Sequence, residues 1–536
     1  MLRQTERTSR ANFHREGAKA RSLFSPKGSS RLCAFAVCFC FFLALRAAAA
    51  EVRFDGSYRL RVNADTNLLL DDQGFASAQK TWAEHRLRLT PKIVEIGEKD
   101  AIEIQGSFDI VSGIVGGDVA ADFRGYGLTD RSQRTGFRAE GFDFRSLFAQ
   151  IRTSLGVVQV GQMPSQWGMG MVANSGNGEN TTDFGDARYG DIVDGALFAT
   201  RPLVGFLGPK SEFAQQLAVA VAGELVYRDR FAQLVVKNGG GLQIGDVAWQ
   251  GVGAVIWDPD DRTRAGFYVA RRVQSFAASA GNLHIWVYDA HLRHSRTLDS
   301  GMVVSVEGEA AQIYGGTSHA PNLSALGQTR VTQQGAVLRG GVARGQLEAE
   351  LEGGYASGDA NPFDDQASNF QMNRDFKVGL VLFDEVMMFQ TQNAARRLSD
   401  PKLLGAPPQG LDLLPTEGAV SNALYLKPTL RYKPRALRGV RLVGSVLFAR
   451  APQPVLDAYQ ALVSSAAKNA FGHAAGRNYG VELDGAIGYQ AKLSGAVGFE
   501  AGLQAGYLFP GDAFTRADGS RMPGAWATKL RATVTF

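Results

Sequence analysis

Eight basic residues carry the sharpest chemical signal in this chain. Arg53, Arg59 and Arg61 sit at even spacing near the start of the mature chain, Arg86, Arg88 and Lys92 follow, and Lys529 and Arg531 lie close to the end. Side chains two apart point the same way from a strand, so each set shares one face. Three such faces side by side would make a wall of fixed positive charge, able to attract and orient an anionic or dipolar solute. The bland alternative is a solvated face whose charges pair with neighbouring acids.

The acidic residues form a second group. Asp183, Asp186, Asp191 and Asp194 cluster with Asn177, Glu179 and Asn180. Carboxylates and amides at this density can bind Ca²⁺. The spacing is not that of a defined calcium loop, so a pore-lining or loop acidic patch is expected instead of a metal site. Asp359, Asp364 and Asp365 call for the same caution. His291 and His294 are three apart on a predicted strand and point to opposite faces, so they cannot chelate one metal together. Gly168-Met-Gly170 is a fragment of a phosphate-binding pattern without the βαβ unit that would give it meaning. No serine–histidine signature supports a hydrolase. No catalytic residue, no metal and no cofactor are assigned, and the chain is not expected to be an enzyme.

These side chains need strands to position them. The last eleven residues, Trp526–Phe536, alternate an apolar face ending in Phe536 with a polar, basic face. The first mature segment does the same: Val52, Phe54, Gly56, Tyr58, Leu60 and Val62 oppose Arg53, Asp55, Ser57, Arg59, Arg61 and Asn63. About eleven alternating residues suit one tilted crossing of a bilayer. Further alternating segments recur along the chain, near 82–94, 101–111, 145–154, 191–200, 283–294, 333–343, 421–432 and 495–508, among others. Short connections, such as 155–156, 344–345 and 433–438, largely alternate with long Gly/Asn/Asp-rich ones, such as 112–144, 164–190, 357–374 and 451–478. A soluble sandwich has no reason to put its long loops at one end.

The leader fixes the compartment. Leu32–Leu45 is an apolar run of fourteen residues after a basic stretch and before four alanines. It reads as a signal peptide over 1–50 with cleavage near Ala50, too short to span as a helix. It removes nine Lys/Arg and two Asp/Glu of the chain's 57 and 52, leaving 48 basic and 50 acidic residues. The basic pI therefore belongs to the leader and implies no nucleic acid. Cys33, Cys38 and Cys40 all fall in the leader, so the mature chain has no thiol chemistry or disulfide.

The expected fold is all-β: a transmembrane antiparallel up-and-down β-barrel over 51–536, with short periplasmic turns and long external loops. Eighteen strands are expected, with twenty as the alternative. The count turns on 385–420 and on whether Phe376–Phe383 spans. Aromatic residues at strand ends (Trp249, Trp257, Trp286, Tyr288, Tyr425, Tyr432, Tyr479, Tyr489) are expected to form interfacial girdles.

Short motifs add a resemblance. Leu155–Gly170, Gly354-Tyr-Ala-Ser-Gly-Asp359, and Tyr479–Asp484 with Ala501–Phe514 resemble segments of porin-like outer-membrane barrels. The likeness is to alginate-export-like porins, and overall to an uncharacterised myxobacterial porin-like family. The terminal strand, with Leu530, Val534 and Phe536, resembles the signal read by the barrel-assembly machinery. The resemblance implies a passive outer-membrane channel of a Gram-negative cell for small hydrophilic or charged solutes, in contact with outer-membrane lipid. A homo-trimer is compatible with it. The alternative class is a non-channel barrel serving as adhesin, anchor or binding platform. One further expectation is that the loop bearing Asp183 and Asp186 folds against the wall opposite the basic one.

Overall fold

Alternation builds each strand, and the pairing of polar inner faces with apolar outer faces fixes the register. The computed structural model of the chain describes residues 51–536 apart from 78–80, 97–100, 119–137, 141–142, 178–182, 233, 239–240, 278–280, 321–327, 401 and 403–409. The expected leader, with its cysteines, and Glu179 and Asn180 lie outside the described residues. The chain opens with β1 (Glu51–Asp65), β2 (Thr81–Ile96), β3 (Ile102–Gly117), β4 (Asp143–Arg152), β5 (Val157–Pro164) and β6 (Ile192–Thr200). It continues through β7 (Leu217–Arg228), β8 (Val247–Asp260), β9 (Thr263–Ser275), β10 (Asn282–Thr297), β11 (Val303–Thr317) and β12 (Thr329–Arg344). β13 (Leu347–Ala356), β14 (Ala423–Tyr432), β15 (Val440–Arg450), β16 (Asn478–Ser494), β17 (Val497–Pro510) and β18 (Ala525–Thr535) complete it.

Each strand pairs antiparallel with the next, and β18 pairs with β1 from Ser57↔Thr535 to Asp65↔Ala527, closing an 18-stranded barrel. Two short strands, Arg138–Glu140 and Gln366–Ala367, join the same sheet without traversing it. The seam finishes on the C-terminal residue: Gly56 and Phe536 exchange both backbone hydrogen bonds, at 2.7 and 3.0 Å. A Cβ on Gly56 would stand 2.5 Å from the Phe536 ring, so glycine there lets the ring lie across the seam.

The outer surface is an apolar belt in which Val221, Phe267, Leu292, Leu338, Leu426 and Leu530 are all exposed. Such a belt on a closed barrel suits hydrocarbon, since closure leaves no open sheet edge for lipid to meet. Trp249, Trp257, Trp286, Tyr288, Tyr432 and Tyr489 stand outward at its margins. Tyr425 and Tyr479, expected in the same girdles, are buried inside the barrel instead. Tyr425 donates to Glu352 at 2.9 Å, and a register shift beside Arg450 turns Tyr479 inward to meet Phe383 and Phe514.

Long connections gather at one end, taken as external, and short ones at the other. The region that made the strand count ambiguous is part of one external loop, the seventh, covering 357–422. Its segment 375–384 folds inward, then makes a π-helical turn (Leu382–Met387) and a helix (Met388–Leu398). The periplasmic connection 201–216, whose last residues the sequence pattern had put in a strand over 214–225, carries two one-turn helices, Leu203–Leu207 and Glu212–Gln216. The largest apolar cluster lies inside the barrel. Met169, Met171 and Phe184 of the third external loop (165–191) meet Phe370, Met372, Phe376 and Leu380–Phe383 of the seventh.

Candidate functional site

The inner faces of β18, β1 and β2 place the predicted basic residues together. Arg59 stands opposite Arg86, Arg61 opposite Glu84 and Arg531, and Asn63 opposite Lys529. All lie on the inward parity, where the acidic partners that a charge needs are available. Arg88 grips Asp109 of β3 with two bonds, at 2.6 and 2.9 Å. Arg86 and Arg145 approach the same carboxylate at 4.0 and 3.9 Å. Lys92 pairs with Glu103 at the periplasmic side. Arg53, on the same parity, is exposed and pairs with Glu51 at 2.7 Å.

The acidic end of the third loop does not settle on the opposite wall as expected. Asp186 lies on the basic wall itself, with Arg531 at 2.7 Å, Arg61 at 3.0 Å and Arg59 at 3.5 Å. Burial opposes its charge, but Arg61 and Arg531 hold its carboxyl below the usual carboxylate range. Asp183 sits between Arg431 of β14 (2.6 Å) and Arg441 of β15 (2.5 Å). The physical reason is charge: a loop rich in carboxylates settles on the side with excess guanidinium. Asp191 is buried between the two inward loops, accepting from the Asn174 N–H (3.0 Å) and Asn373 Nδ2 (2.6 Å). Burial and the nearby Asp229 push it up to about 8. Asp194 departs from the expected patch: it is paired with Gln162 and Leu225 on the outward parity of β6, after a register shift at Ile192/Val193. Leu530 is outward and exposed, Val534 outward and half-buried, and Phe536 exposed at the seam.

Carboxylates far away in sequence hold both inward loops. Glu309 of β11 accepts from the backbone N–H groups of Met169 and Met171, the second at 3.2 Å, while Asp289 of β10 accepts from the Trp167 ring N–H at 3.1 Å. Glu482 of β16 accepts from Leu380, Val381 and Leu382 at 2.6, 2.8 and 2.7 Å. Asp375 ties the loops to each other, taking the N–H groups of Arg188 and Gly190, both at 2.6 Å, and that of Tyr189. Asp384 takes Lys377 at 2.5 Å and Lys529 at 2.6 Å. Burial opposes that charge too, yet the two ammonium groups, Lys377 foremost, keep the carboxyl well below its ordinary value.

Facing the basic wall across the barrel are β10–β13, whose inward residues include Asp289, Glu307, Glu309, Glu348, Glu350 and Glu352. Arg339 answers three of them, reaching Glu352 at 2.6 Å, Glu350 at 3.5 Å and Glu307 at 3.7 Å. In an 18-stranded ring β10 lies diametrically opposite β1, so the acidic side comes from the wall itself. Sequence reasoning missed Asp109, Arg145, Glu309, Glu482, Asp375 and Asp384. The one available signal was an apolar segment, Phe376–Phe383, whose place in the strand count was open.

This arrangement can fix and orient a charged solute; it offers no nucleophile and base within reach of each other in the basic cluster. No protein-family model matches the chain, and no curated protein matches it. Among solved structures, the chain is similar in fold to OccAB4 of Acinetobacter baumannii, at 8% identity over 91% of this chain and 98% of that one, with a TM-score of 0.52. It is also similar to OpdK of Pseudomonas aeruginosa, solved with vanillate, at 11% identity over 91% and 98% of the two chains, with a TM-score of 0.51. Identities this low carry a likeness of fold alone.

Proposed function

We propose that the protein is a passive outer-membrane channel for small hydrophilic solutes, with anions favoured. One observation carries the anion preference. Six guanidinium groups (Arg59, Arg61, Arg86, Arg88, Arg145, Arg531) converge on three carboxylates, Glu84, Asp109 and Asp186, where the third loop narrows the lumen. An unbalanced cluster of this kind, between low-dielectric walls, concentrates counter-charge and raises the entry rate of anions. The apolar outer belt and the closed 18-stranded ring support the membrane location, and a barrel of that size holds an aqueous interior wherever loops do not fill it.

The remaining expectations belong to the same proposal. Residues 1–50 direct export, Leu530, Val534 and Phe536 present the terminal strand to the assembly machinery, and three copies form the working unit. The narrower likeness to alginate-export-like and myxobacterial porin-like barrels rests on the short motifs alone. Refolded protein inserted in a planar bilayer is expected to conduct, with a reversal potential in a KCl gradient that favours chloride. Demonstrable insertion without conductance would overturn the channel.

A further inference from the structure

A cavity of about 260 Å³ lies on the external side of the constriction, between the wall at β9–β12 and the seventh loop. Ile285, Ile313 and Val331 border it from the wall, and Phe383, Met387 and Leu413 from the loop. Barrel walls usually turn polar residues inward, and this stretch of wall is apolar instead. Had the loop merely packed on that face, the gap would have closed to the density of a protein interior. The space left exceeds the roughly 150 Å³ that takes up a benzene ring.

The ionisable groups at its edge are already engaged. Arg272 bonds Asp229 at 2.5 Å and Gln274 at 2.7 Å. Asp359 accepts from the Asn361 and Ser368 N–H groups at 2.9 and 3.0 Å. Asp457 caps the helix Ala458–Ser464 through the Gln460 N–H at 2.8 Å. Gln371 donates from Nε2 to the Leu413 carbonyl at 3.2 Å, and its Oε1 is closed off from the cavity.

We propose that this cavity binds a small uncharged solute with an apolar body about the size of one or two rings. The site is separate from the basic wall and rests on the channel proposal only for the route by which the solute arrives.

Indole is a suitable probe, being uncharged, largely apolar and two rings in size. Its binding to refolded barrel in amphipol is read by equilibrium dialysis against barrel-free amphipol, and its effect on current is read separately in bilayers. Saturable binding at one site per chain is expected, with reversible current reduction when indole is added on the loop side. Ile313→Trp fills the cavity and should abolish binding; Ile313→Phe serves if the larger ring prevents folding, judged by heat-modifiable gel migration. Binding indifferent to both Ile313 variants, or displaced equally well by 2-naphthoate, overturns the proposal. Conductance without indole binding overturns this site and spares the channel. Saturable, variant-sensitive binding without conductance supports the site and overturns the channel.

Discussion

Asp191 shows how one side chain couples the two inward loops. It is bonded to Asn174 of the third loop and Asn373 of the seventh, and it is pushed up to about 8 by burial and by Asp229. In the unfolded chain an aspartate titrates near 3.9. Between those values the folded state binds more protons, so this group's contribution is fully present below about pH 4, declines as pH rises, and is lost above about 8. Asp191→Asn mimics the protonated form and keeps the acceptor. Its unfolding midpoint should match that of the parent near pH 4 and exceed it by a few degrees at pH 9, read by heat-modifiable migration. Equal midpoints at pH 9 would show that the carboxyl ionises freely. The parity of Arg59, Arg61, Arg86, Arg88, Lys529 and Arg531 was legible because strand alternation is local. Their partners were not: Asp186 lies 345 residues from Arg531 in sequence, and only closure of the ring brings them to 2.7 Å. Asp194 was misplaced for a more local reason: β6 runs without a break from Ile192, so Asp194 faces away from its inward neighbour Val193.

At the scale of elements, strands obey the sequence pattern and the inward loops do not. Period-two alternation marks a strand wherever one face meets lipid and the other water. The stretch 375–398 has no such two-sided surroundings. Almost every residue in it is buried inside the barrel, so its polarity follows individual partners and no period survives. Its position depends on acceptors supplied by the wall. Three consecutive N–H groups, at 380–382, end on Glu482, where no regular secondary structure satisfies them. Removing that acceptor leaves each donor at a cost of about 1–3 kcal/mol if it stays buried, so the loop should leave its seat instead. Glu482→Ala is therefore expected to raise mean single-channel conductance and to add flicker on the millisecond scale. Glu482→Gln, which retains one acceptor oxygen, should change both less. A Glu482→Ala channel with parental conductance and noise would mean that the seventh loop does not border the conducting path.

The whole molecule sets two unlike walls face to face. Arg59, Arg61, Arg86, Arg88 and Arg531 stand on the β18–β2 side, and the carboxylates of β10–β13 stand across from them. The third loop lowers this contrast by laying Asp186 on the basic side, yet it leaves more guanidinium than carboxylate there. A field directed across the lumen follows, and its reach is set by salt: the screening length is about 8–10 Å at physiological strength and about 3 Å at 1 M. A solute bearing charge is thus turned and sorted over distances comparable to a narrowed pore only when salt is low. Replacing Arg59, Arg61, Arg86 and Arg88 together by Gln strips the basic side and leaves Asp109 and Asp186 with fewer partners. The reversal potential at about 0.1 M should move toward cation preference, and the shift should shrink markedly at about 1 M. Gel migration of the variant separates a lost field from a lost fold. If a folded variant keeps the parental reversal potential at low salt, solutes do not pass along the β18–β2 wall, and the anion preference must be sought on another side of the barrel.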